Sequence, residues 1–174
     1  MRRVSLNARQ AQDSVTSQEI EVVLFEITHP DLDEVIRLST DPTEKLSEDP
    51  YLMGTRSTWR GADPATEPWL WIVASTLLPS DLEDAPASST LVLENLDSDM
   101  VSLVRSISTP PSVNMAVVLA DSPDVIEAEY LDLQIVSADI DAGEIVLSIS
   151  RDEIEAEPFP SGRMTRESFP GLFL

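Results

Sequence analysis

Apolar positions along the chain change period several times, and each change marks an element. From Ser5 to about Thr16 good helix formers carry a thin stripe of Leu6, Ala8, Ala11 and Val15, which predicts a short, weakly anchored helix with Ser5 as its N-cap. Residues 19–28 are rich in β-branched and aromatic side chains, and His29–Asp33 supplies turn chemistry before residues 34–39. Together they predict a β-hairpin. Between Thr40 and Glu67, Pro42, Pro50, Gly54, Gly61 and Pro64 interrupt any regular pattern, so the expectation is a long extended loop. Long loops in compact domains are commonly functional, and Tyr51, Leu52, Met53 and Trp59 speak against a purely solvated one. The loop is therefore a candidate contact surface.

Further strands are expected at 69–74 and 89–95. In the first, Trp69 and Trp71 stand two apart on one face, where core is a better reading than interface anchor. Asp97 then caps a predicted helix in which Met100, Leu103, Val104 and Ile107 recur at i, i+3, i+4 and i+7 before Pro110 and Pro111. Strands at 112–120, 130–138 and 144–150 follow, with a turn at Ser122-Pro-Asp124 and two of the strands forming a hairpin. About seven strands with a flanking amphipathic helix predict a mainly β fold, a β-sandwich or split barrel, over residues 19–156, behind a helical segment 1–18. No tandem repeat is visible.

Residues 157–174 hold three prolines and two glycines, which rule out a sheet-interior strand or continuous helix and predict an extended arm. Phe159, Met164, Phe169, Leu172, Phe173 and Leu174 make that arm apolar, so either the chain's own core or a neighbour is expected to cover it. These six residues, with Tyr51 and Trp59 of the long loop, are the candidate interface residues.

Charge narrows the partners. Thirty-two acidic against eleven basic residues give a formal charge of -21, which repels phosphate backbones and anionic headgroups. Sequence-specific nucleic-acid binding and membrane insertion are not expected, and no stretch is apolar enough for a signal h-region or a span. Ten of the eleven basic residues are Arg, suited to forked pairing with carboxylates. Cysteine is absent, so folding rests on packing, as suits a protein made in a reducing cytoplasm.

Candidate chemistry is sparse. His29 is the single histidine and reads as a surface turn residue, which leaves no triad or two-histidine metal site within one chain. Acidic groups at Asp31/Asp33/Glu34, Asp97/Asp99 and Asp139/Asp141/Glu144 fit turns and a helix cap better than a calcium loop. Neither a phosphate loop nor a nucleophile elbow occurs, so no catalytic residue, metal or cofactor is nominated.

Several stretches carry a resemblance: Phe25-Glu-Ile-Thr-His-Pro-Asp-Leu32, Leu93-Glu-Asn-Leu-Asp97, Val104-Arg-Ser-Ile-Ser108 and Val117-Val-Leu-Ala-Asp-Ser-Pro-Asp124. Above all, Glu157-Pro-Phe-Pro-Ser-Gly-Arg-Met-Thr165 and Phe169-Pro-Gly-Leu-Phe173 carry it. With the order of elements, they resemble a tailed-bacteriophage family of unknown function that looks like minor tail proteins of the tail tip, the distal tail and minor tail protein M types included. Thr43 to Trp59 departs from the pattern. The resemblance implies a tube-like β domain, a homo-oligomeric ring, commonly hexameric, and a place in the virion between tail tube and central hub. Tail tube, hub and tape measure are then the expected partners, and no catalytic residue is implied. Two other classes remain open: a virion-associated hydrolase using carboxylates, which needs two opposed acids in a cleft, and a tail assembly chaperone.

Overall fold

A computed structural model describes residues 5–16, 19–77, 88–94, 109–141 and 144–151. The helix expected at 97–107 and the arm at 157–174 lie outside the described residues. The protein is mainly β, as the sequence pattern predicts. Among the described residues one α-helix, α1 (Leu6–Asp13), precedes ten strands: β1 (Glu21–Thr28), β2 (Ile36–Ser39), β3 (Glu44–Glu48), β4 (Tyr51–Thr55), β5 (Trp69–Trp71), β6 (Ala74–Leu77), β7 (Ser88–Glu94), β8 (Ser112–Leu119), β9 (Ser122–Ile140) and β10 (Glu144–Arg151). All ten belong to a single mixed sheet in the order β3-β4-β5-β2-β1-β8-β9-β10-β7-β6.

That sheet cannot be flat. β5 and β6 stand seven places apart in the order, roughly 34 Å in a flat sheet. Only Ile72 and Val73 separate them in the chain, a link that spans about 10 Å at most. The sheet must therefore roll until the β6 end meets β5, a split-barrel arrangement in which one bent run, residues 69–77, pairs with β2 and β4 at its start and with β7 at its end. Inside the roll lies the main core: Phe25, Ile27, Leu38, Leu91, Leu93, Val113, Met115, Leu133, Ile145, Leu147 and Ile149.

β1 and β8 are buried on both faces, which explains their almost unbroken apolar runs. Phe25, Ile27, Val113 and Met115 face the roll; Val22, Leu24, Ala116 and Val118 face outward beneath Trp59, Ala62 and Trp69. β9 changes partners along its length, pairing with β8 as far as Gln134 and with β10 from Leu133 onward. The ladder slips between Val113 and Met115 at this crossover, and Asp132 takes a φ of 57°. Asn114 answers the slip, its side-chain oxygen accepting the Asp132 N–H at 3.1 Å.

Four sequence expectations are corrected. Residues 40–67 are not one extended loop, because β3 and β4 form an antiparallel hairpin there. The breakers permit it: Asp49 and Pro50 form the turn, and Gly54 lies where β4 crosses against β5, so close that a Cβ would sit 2.0 Å from the Trp69 carbonyl oxygen. Ser122-Pro-Asp124 is not a turn but the start of β9, the reversal falling at Ala120–Asp121. Trp69 and Trp71 are not both core, for Trp69 is fully buried and Trp71 is not. His29 is in a turn yet buried: its Nδ1 accepts the Asp31 N–H, and its Nε2 lies 2.5 Å from the Thr109 hydroxyl. The Ser5 cap of α1 is as expected, with the Ser5 hydroxyl accepting the Ala8 N–H, and the Ser5 N–H donates to Glu127 on β9.

Candidate assembly surface

Two features of the crossover from β2 to β5 bear on function: a lid closed on the protein's own sheet, and a margin that is left open. The lid is residues 56–68. Trp59 (5 % exposed) packs on Trp69 with ring centroids 5.1 Å apart, and its indole N–H donates to Glu129 at 2.8 Å. The Trp69 indole N–H donates to the Ser57 carbonyl at 3.2 Å, while the Arg37 guanidinium lies 5.9 Å from the Trp69 ring and 3.4 Å from Glu67. Beneath, Glu26 accepts at 3.0 Å from both Arg60 and Asn114, so a buried carboxylate on β1 binds the lid to β8 and, through Asn114, to the β9 crossover. Arg60 adopts a φ of 60° to make this reach.

At the other end of the lid, Asp124 accepts the Thr58 N–H at 2.7 Å and the Thr58 hydroxyl at 2.9 Å, and Ser57 donates to the Pro123 carbonyl. The Thr58 backbone N–H, then the Thr58 hydroxyl, hold the Asp124 carboxyl below the usual aspartate range, against a smaller opposing effect of burial. Asp63 is lowered likewise by the Ala65 N–H and Thr66 hydroxyl. Trp59, expected at an interface, is thereby placed in the fold itself, with no face left for a neighbouring subunit. The sequence held a signal for this, the Trp59/Trp69 pair flanking a polar stretch, but not the partner face.

The open margin is the strip formed by β3, β4 and the end of β5. Gly54 pairs with Leu70 and Lys45 with Met53, so continuing the β4–β5 register sets Met53 opposite Trp71 and Tyr51 opposite Val73. Alternation puts these side chains on one face, and Lys45 over the Tyr51 ring at 5.7 Å agrees with that. Tyr51 is 67 % and Trp71 42 % exposed, and Val73 is exposed beside them. Tyr51, a sequence candidate, thus lies with Trp71 and Val73, which the sequence reading did not nominate for contact. β3 itself ends the sheet, with β4 as its one strand partner among the described residues. Phe159, Met164, Phe169, Leu172, Phe173 and Leu174 are outside the described residues.

Among the described residues no three His, Asp or Glu side chains gather as a cation site requires, and none of the helices is long and apolar enough to cross a membrane. No protein-family model matches the sequence, and no curated protein matches it significantly.

Proposed function

We propose that this chain is a non-enzymatic structural subunit of the tail tip of a long-tailed bacteriophage, a distal or minor tail protein whose copies form a ring linking the tail tube to the central hub. The observation that carries the reading is the open margin: Tyr51, Trp71 and Val73 stand exposed on a strongly acidic body, at the end of a rolled sheet whose last strand has a free edge among the described residues. The resemblance of 157–174 and of the strand segments to tail-tip proteins supplies the setting. Three carboxylates that face the lid are already engaged, Glu26 by Arg60 and Asn114, Glu129 by Trp59 and Asp124 by Thr58, which favours a structural role for them over a hydrolytic one.

In this reading, adhesion comes from aromatic contact and main-chain pairing at sheet margins, while charge opposes assembly. A ring of six copies multiplies a charge of -21, so carboxylates face solvent or basic neighbours, and added salt favours homotypic association by screening. A hexamer is the favoured stoichiometry, with tail tube, hub and tape measure as neighbours. The test is mass spectrometry of purified particles with immunogold labelling: the protein is expected in intact virions, with label at the distal end of the tail. Presence in lysate but absence from finished particles would instead identify an assembly chaperone.

A further inference from the structure

The exposed strip on β4 and β5 has a chemistry of its own. Two aromatic rings, Tyr51 and Trp71, stand free on one face, next to Met53 and Val73 and beneath Lys45. Neither Tyr51 nor Trp71 belongs to either core cluster. Exposed aromatics on a shallow apolar surface are how folded domains take up proline rings, because an extended Pro-rich segment is already ordered and loses little entropy on docking. The chain contains such a segment: Glu155-Ala-Glu-Pro-Phe-Pro160, with two carboxylates ahead of a Pro-Phe-Pro triplet. Lys45 is the one lysine of the chain; its ammonium lies over the Tyr51 ring and is ion-paired with the exposed Glu48 at 2.5 Å, and it stays half-exposed, so an incoming carboxylate meets it by sharing or displacing that pair.

Reach favours a segment from a neighbouring copy. Ile145, Leu93 and Ala74 stand side by side across β10, β7 and β6. Arg151 is six residues from that row in one direction and Trp71 three residues in the other, a separation of at most about 30 Å, reached only if the bent run 69–77 were straight. Pro158 and Pro160 follow Arg151 on a connection that covers about 25–30 Å only at full extension, before any path around the rolled sheet. A neighbouring copy has no such constraint. We infer that Glu155–Pro160 of one copy docks on the Tyr51–Trp71 face of a second copy, proline rings against the aromatics and Glu157 toward Lys45, a head-to-tail contact that can close into a ring. The inference rests on the reading that copies associate, and it identifies donor and acceptor.

The absence of cysteine makes the test direct. A full-length Val73→Cys chain, which keeps both aromatic rings, is mixed with a longer, tagged Phe159→Cys chain, oxidised mildly, and run without reductant; Val136→Cys, on an exposed β9 position, replaces Val73→Cys as control. Docking predicts a mixed disulfide dimer with a yield about ten-fold above the control pair. It also predicts that Lys45→Glu, with unchanged circular dichroism, lowers that yield. Equal yields with Val136→Cys would overturn the inference. So would closure of a Val73→Cys/Phe159→Cys double variant on itself as a monomer, since that places the segment on its own chain. If Val73→Cys does not fold, Met53→Cys probes the same face. A cross-link in a chain missing from virions leaves the docking standing and removes the tail-tip reading; a virion protein without the cross-link does the reverse.

Discussion

Two tryptophans near each other in the chain have opposite fates, and the regions around them show how this fold divides its aromatic surface. Trp69 is sealed beneath the lid, fully buried against Trp59 and fixed through its N–H to Ser57. Trp71, two residues on, stands at the margin with Tyr51 and belongs to neither core cluster. The lid is satisfied internally, its indoles, Arg60 and Thr58 each finding a carboxylate or carbonyl partner. The margin has aromatic area and a strand edge with little else against them. Burial with hydrogen-bonded indoles makes one region part of stability; exposure makes the other available for contact.

Substitutions should separate the two. The largest expected effect is in the cores: Trp69→Ala, like Phe25→Ala inside the roll, should destabilise by about 3–5 kcal/mol in denaturant titration. Loss of no more than a few tenths for Trp69→Ala would mean that the lid is not closed. Next, Gly54→Ala drives a methyl into the Trp69 carbonyl, and should cost about 1–3 kcal/mol while raising hydrogen exchange in β3 and β4. Glu26→Ala leaves Asn114 without one acceptor and frees a half-exposed Arg60, for an expected loss of about 1–3 kcal/mol.

Asp124 gives a smaller, pH-dependent effect. Because the folded protein holds its carboxyl below the ordinary aspartate value of 3.8, the unfolded chain takes up its proton first as pH falls. Its contribution is thus complete well above pH 3.8 and is lost as pH drops through the lower folded value. The difference in Tm between the wild type and Asp124→Asn should be greatest near neutrality and shrink below pH 4 or so. A difference constant with pH would remove the carboxylate from the account. At the margin, Tyr51→Ser and Trp71→Ser should each change monomer stability by no more than about 0.5 kcal/mol. They should nevertheless impair association.

Legibility in the sequence follows the same division. β1, β2, β7, β8 and β10 were readable because residues such as Phe25, Leu91, Met115 and Leu147 pack inside the roll and impose apolar runs or alternation. The Ser5 cap was readable from local chemistry alone. β3 and β4 were not, since strands at a margin need no apolar face, and Pro50 in the turn and Gly54 at a strand crossing look like breakers until the neighbouring strand is known. The first half of β9 hid for a related reason: Val125 and Ile126 are exposed while Glu127 is the buried position, so no apolar period of two emerges. Buried His29 and Trp59 depend on Thr109 and Glu129, partners 80 and 70 residues away, which no local pattern can supply.

What joins these regions to function is that the exposed margin brings copies together. Native mass measurement of the purified full-length chain, at near-physiological ionic strength and again with added salt, asks this without substitution or label. A closed homo-oligomer, a hexamer foremost, whose population grows as salt screens the acidic surfaces is the expected result. A species that stays at the mass of one chain across concentration and salt would contradict it.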